Sequence, residues 1–132
     1  MTDLPDVVSQ DVEAAFRRAM RRFAATVSVI TTRHSGRRYA MTATAVTSLS
    51  MAPPSLLACV YGTSRFHRVL AAEESFCVNI LHQDQAAISQ ACARSRFPDE
   101  ENRFNWIDDE DFGYLSDTQA VVLCRKDRKS VV

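Results

Sequence analysis

Glycine is scarce in this sequence: Gly36, Gly62 and Gly113 are the only three in 132 residues. A G-x-G-x-x-G dinucleotide fingerprint cannot be assembled from them, because its glycines must crowd into one turn to let the backbone meet a pyrophosphate. An excess of either charge is missing too. Lys and Arg number 16, as do Asp and Glu, so the formal net charge is zero. Such a balance gives no overall attraction to nucleic acid or to an anionic membrane surface. No apolar run reaches the ~18 residues that a membrane helix needs. Met1 to Asp6 carries two acids and no basic segment, which does not read as a secretory signal. The expectation is a cytoplasmic protein with neither nucleic acid nor membrane as partner.

The absent catalytic patterns are as telling. There is no G-x-S-x-G, no P-loop and no H-E-x-x-H. Cys59, Cys77, Cys92 and Cys124 form no C-x-x-C pair and have no histidine at metal-ligand spacing, which argues against zinc. Cys59, Cys77 and Cys124 each sit in an apolar, strand-like run and are expected as buried small hydrophobes. A chain without an evident nucleophile or acid–base pair either binds rather than reacts, or leaves the chemistry to a cofactor.

What is present suits a soluble globular domain: 46% hydrophobic and 24% charged residues. From Asp11 to Phe23, Val12, Phe16, Met20 and Phe23 recur at helical spacing, predicting an amphipathic helix. Ser9 and Asp11 offer capping oxygens. Arg17, Arg18, Arg21 and Arg22 read as its solvated face rather than as a phosphate site. Strand signals follow at 26–32, 39–50, 55–61, 76–81 and 118–123, with a turn at His34–Arg37 and a break at Pro53-Pro54. Short helices are expected over 66–72 and 83–93. Arg94 to Asp111 is acid-rich and reads as an exposed loop, with Phe104 and Trp106 anchoring it to the body. The predicted organisation is one domain over 1–132, with an N-terminal arm (1–10), the acidic loop (94–111) and a charged tail (125–132). The fold class is mainly β with short helices, as a partly open antiparallel barrel rather than a βαβ sheet.

One segment stands out: Met41-Thr-Ala-Thr-Ala-Val-Thr-Ser-Leu-Ser50. Consecutive small residues leave the backbone accessible to a flat ring, and the hydroxyls of Thr44, Thr47, Ser48 and Ser50 can meet phosphate oxygens. A Thr-rich strand at a sheet edge fits the same pattern. Together with the Met-Ala-Pro-Pro-Ser-Leu-Leu-Ala-Cys-Val that follows, the block resembles the flavin reductase domain, the FMN-binding split-barrel family that supplies reduced flavin to two-component monooxygenases. Ser64-Arg-Phe-His67, Phe76-Cys-Val-Asn-Ile-Leu81, and Arg103-Phe104 followed by Trp106 extend the resemblance from about Ala15 to Cys124.

The resemblance implies an FMN-binding split β-barrel, Greek-key-like, that reduces FMN or FAD with NADH or NADPH by hydride transfer to flavin N5. It implies a homodimer and a transient oxygenase partner. Thr42, Ala43, Thr44 and Ala45 are expected to line the ring, largely through backbone groups, with Thr47 and Ser48 near the ribityl chain and phosphate. Cys59 and Val60 are expected beside the flavin, and Ser64 and Arg65 at the phosphate, where the helix start adds its dipole. Asn79 is expected either in direct contact or in a structural role. His67 reads as a surface or capping residue, and His34 and His82 as turn and strand-end residues. The family continues after the last strand with a Gly-Asp-His-type segment, whereas here Arg125-Lys-Asp-Arg-Lys-Ser-Val-Val follows. The expectation is therefore a barrel incomplete at its C-terminus. A flavin-binding module without turnover, or an inactive fragment, stands beside the reductase as an alternative.

Overall fold

Val, Ile and Thr crowd the strand β1 (Ser28–His34), and branched side chains of this kind fit a pleated surface packed on both sides. In the computed structural model, which describes residues 9–22, 26–62, 64–93 and 104–126, the first five residues of β1 are all buried. β2 (Arg37–Ala43) pairs antiparallel with it from Ser28↔Ala43 to His34↔Arg37. Ser35 and Gly36 make the turn with φ of 52° and 75°. This doubly positive geometry matches the twist of a tight hairpin, and glycine adopts it at no steric cost.

β5 (Ser75–Ile80) lies on the other side of β1, and β8 (Ala120–Arg125) beyond it, giving an antiparallel sheet of order β2-β1-β5-β8. Cross-strand partners share a face. One face therefore carries Val29, Thr31, Ala40 and Asn79, and the other Ile30, Met41, Ala43 and Val78. Onto the first pack α3 (Ala86–Cys92) and the hairpin of β6 (Trp106–Asp109) and β7 (Phe112–Leu115), with Leu81, Cys92 and Leu115 closing the cluster. Onto the second packs α2 (Arg65–Ala72) through Phe66, together with the hairpin of β3 (Val46–Met51) and β4 (Pro54–Ala58) through Val46 and Ala58.

The mainly β architecture with three short helices agrees with the sequence. No closed barrel forms among the described residues, whose strands make separate sheets of four, two and two. Several expected boundaries change. The run 39–50 is two strands, because the chain leaves the main sheet at Thr44 and Ala45 to start the β3–β4 hairpin. The segment expected as an acidic loop carries β6, held by pairing to β7 and by cations from distant strands, so Asp108, Asp109, Glu110 and Asp111 are hairpin residues. Residues 94–103 lie outside the described part of the chain, while Phe104 and Trp106 do pack against the core. β7 was not anticipated. Arg125 closes β8 instead of opening a tail, and 127–132 lie outside the described residues.

The first helix, α1, spans Ser9–Arg22, so it begins within the stretch expected as an arm. Its apolar stripe is helical as predicted, yet Val12 and Phe16 are each 61% exposed. Phe23 lies outside the described residues. Cys59 is exposed rather than buried, because it follows β4 on the open side of the hairpin; Cys77 and Cys92 are buried.

Candidate functional site

The end of β2 and its link to β3 place the first group of predicted residues, and strand alternation divides them. Thr42 points to the α3 face and donates its hydroxyl to the Ser89 carbonyl at 2.5 Å. Ala43 points the other way, only 7% exposed, into the cluster of Ile30 and Phe66. Thr44 and Ala45 are exposed. The Ala45 carbonyl accepts the Cys59 N–H at 3.0 Å, so the two chain segments lie side by side. Val60 packs against the Ala43–Phe66 cluster. Ala43, Thr44, Ala45, Cys59 and Val60 thus share one neighbourhood, in which small side chains leave backbone uncovered. Thr47 and Ser48 lie exposed on β3, just before its register slips between Ser48 and Ser50.

Ser64 caps α2. Its hydroxyl accepts the His67 N–H at 3.1 Å and donates to the Tyr61 carbonyl at 2.7 Å. That arrangement fixes the helix start and engages the Ser64 side chain as both donor and acceptor. Arg65 is exposed at the first helical position. No acid occupies the first turn, so nothing in that turn offsets the positive end of the helix dipole.

Of the two roles expected for Asn79, its hydrogen bonds match the structural one. It is 0% exposed, its amide donates to the Val29 carbonyl at 2.8 Å and to Thr31 Oγ1 at 3.0 Å, and its oxygen accepts the Leu115 N–H at 2.9 Å. Thr31 in turn donates to the Gly113 carbonyl at 2.7 Å. Every polar atom of the Asn79 amide is engaged inside the protein, and the role is structural: it fastens the β6–β7 hairpin to β1 and β5. A Cβ at Gly113 would lie 2.9 Å from the Arg33 Cγ, so glycine lets the Arg33 side chain pack this close to the hairpin.

At the other end of the sheet, a polar cleft of about 670 Å³ opens between the β1–β2 turn, the end of α2, the β6–β7 turn and Arg125. None of the predicted site residues lines it. Arg38 binds Asp108 through two hydrogen bonds, Arg33 reaches the Glu110 carbonyl, and Arg125 lies 3.5 Å from Asp111. The Arg38 hydrogen bonds hold the Asp108 carboxyl below its ordinary range. His34 Nδ1 sits 2.8 Å from Glu73 Oε1, a contact that no local pattern announces, since the partners are 39 residues apart. Burial pushes the Cys77 thiol up to about 12 and that of Cys124 to about 11. Both therefore stay protonated at neutral pH and neither is a thiolate nucleophile. Among the described residues no cluster of His, Cys, Asp or Glu is arranged to hold a metal. No helix among them is long and apolar enough to cross a membrane.

Comparison with known proteins bears on the family and the fold. The flavin reductase like domain matches residues 20–131. The chain is 42% identical over 127 residues to the reductase component of an FADH(2)-dependent resorcinol hydroxylase from Rhizobium sp., covering 93% of this chain and 71% of that protein. It is 38% identical over 115 residues to an NADH:riboflavin 5'-phosphate oxidoreductase of Streptomyces pristinaespiralis, covering 84% of this chain and 64% of that one. The chain thus spans about two-thirds of the length of these relatives. Among solved structures, an NADH:FAD oxidoreductase of Streptomyces globisporus, in complex with NAD and FAD fragments, superposes with a TM-score of 0.81 at 26% identity. That match covers 93% of this chain and 74% of the other.

Proposed function

We propose that this chain, which belongs to the flavin reductase like domain family, binds FMN or FAD at the β2–β3 link and the start of α2. There it reduces the flavin with NADH or NADPH and supplies it to a partner monooxygenase. The observation that carries this reading is the exposed Thr44–Ala45 link, hydrogen-bonded to Cys59 beside Val60. A flat ring fits such a surface, because the side chains of the exposed link itself, Thr44 and Ala45, are short.

The residues present fit the whole group. Thr44 and Ala45 offer backbone N–H and C=O groups to the ring edge, and Ala43 supports them from beneath through Phe66. Thr47 and Ser48 turn exposed hydroxyls toward a ribityl chain and phosphate, and the capped start of α2 with Arg65 supplies N–H groups and positive charge. Bound flavin supplies the electron sink that accepts a hydride. The protein's own task is to hold the ring in place and leave one face open for a nicotinamide, since the transfer depends on close stacking rather than on a titrating side chain. We read the protein as a cytoplasmic, single-domain subunit of a homodimer. Leu49, Met51, Leu57 and Tyr61 are exposed on and beside the β3–β4 hairpin and offer the apolar surface a second copy would cover.

Flavin fluorescence titration and steady-state NADH oxidation with FMN test the reading together. Ala45→Leu should cover the ring surface while leaving the buried core untouched, and weaken FMN by more than about tenfold. Unchanged affinity in the folded variant would displace the ring from this link. FMN binding without NADH oxidation would favour a flavin-binding module over a reductase.

A further inference from the structure

We propose that Lys126 is a positioning residue for the flavin phosphate: it holds the far end of α2 and so fixes how the start of that helix is presented. The inference rests on the flavin reading above and extends it to a residue far from the ring.

An α-helix leaves its last carbonyls without internal partners. In α2 the Leu70 carbonyl accepts the Glu73 N–H at 3.1 Å, and the carbonyls of Leu70 and Ala71 both accept Lys126 Nζ, at 2.9 and 3.2 Å. The Lys126 N–H also donates to the Glu74 carbonyl at 2.8 Å. α2 has no basic residue in its own last turn, so the cation that complements its negative end comes from the end of β8, more than fifty residues along the chain. A second brace arrives from the opposite side. Glu73, the C-cap of α2, places its carboxylate 2.8 Å from His34 Nδ1 at the end of β1.

The helix needs these braces because it is short. Eight residues are too few to be stable alone, and Phe66 is its one buried side chain. Leu70, one turn on, packs partly buried against the same cluster, so the helix's apolar contacts lie along one stripe and leave room for a small roll about that line. Such a roll turns Arg65 and the first N–H groups away from a bound anion without exposing the core. Lys126 and the His34–Glu73 pair remove that freedom by gripping the other end.

The experiment compares FMN with riboflavin, which shares the ring and lacks the phosphate, by fluorescence titration of the full chain. Lys126→Met keeps most of the side-chain stem and removes the ammonium. It should weaken FMN by about three- to tenfold, the size expected of a residue acting on a site it does not touch, and leave riboflavin unchanged. Lys126→Arg should restore FMN. In an Arg65→Ala background the Lys126→Met effect should shrink, because the helix then has only its N–H groups left to present. Unchanged FMN affinity in Lys126→Met, or equal loss for both ligands, overturns the proposal. His34→Ala loosens the same helix end from β1 and should show the same selective loss. A folded His34→Ala with unchanged FMN affinity also counts against it, and keeps the test decisive if Lys126→Met fails to fold. Failure of the underlying phosphate reading shows separately, as Arg65→Ala costing FMN and riboflavin alike.

Discussion

The β1–β5 centre of the main sheet and the β3–β4 hairpin are made of much the same residues, yet they meet water in opposite ways. Val29, Ile30, Thr31, Cys77, Val78 and Asn79 are all sealed, whereas Leu49 is 67% exposed and Met51 83%. Position decides this, not composition. β1 and β5 each have a strand on both sides and a packed layer on both faces. Among the described residues β3 and β4 pair only with each other, and a lone two-stranded ribbon is marginal in water. The centre is complete in itself. The hairpin carries apolar surface that awaits cover, and it adjoins the link where the flavin is proposed to bind.

The comparison can be broken from the sealed side. Asn79→Leu keeps the volume and deletes three hydrogen bonds, leaving the Leu115 N–H and the Val29 carbonyl buried without that partner. It should cost about 3 kcal/mol of stability by urea unfolding. FMN affinity in the remaining folded protein should hold. A stable variant with weakened FMN would return Asn79 to the flavin site.

From the open side, Met51→Asp should leave the fold intact, because the side chain touches little in its own chain. If a second copy covers the hairpin, sedimentation should show the dimer weakened by about 2 kcal/mol, the order expected for one buried apolar side chain. An unchanged dimer would move the interface off this hairpin. Stability losses as large as those of Asn79→Leu would mean that the hairpin is not the open element described here.

These two regions were unequally legible in the sequence. The order of most elements could be read because it is written locally: His34 to Arg37 as a turn, and β-branched runs for β1 and β5. The small-residue block was legible as a surface a ring could approach, but not as a corner. Nothing in Met41–Ser50 marks Thr44 and Ala45 as the point where the chain leaves one sheet for another, since threonine and alanine suit both. Nor does the run around Cys59 show which side of the hairpin faces water. The acidic stretch concealed β6 because its stabilising partners, Arg33 and Arg38, are some 70 residues away in sequence. Asn79 sits in an apolar strand, where a contact to ligand and a buried clamp look alike until the partner strand is placed.

The smallest expected effect sharpens the comparison at the polar end, where the β6–β7 hairpin joins the sealed sheet. Trp106 is the sole tryptophan, and Arg38 lies 5.6 Å from its ring centre while also binding Asp108. Its fluorescence therefore reports this joint. Because the Arg38 hydrogen bonds lower the Asp108 pKa in the folded state, the contribution of Asp108 is present above about pH 4, the ordinary carboxylate value. It is lost as the pH falls below that and through the lowered value, where the folded protein must also take up the proton. Asp108 remains partly exposed, so solvent screening limits the loss to below about 1 kcal/mol. Acid titration of Trp106 fluorescence should show a transition below about pH 4 that is missing in Asp108→Asn, with the rest of the profile shared. The same transition in both proteins would assign it to other carboxylates of the hairpin and remove Asp108 from the joint.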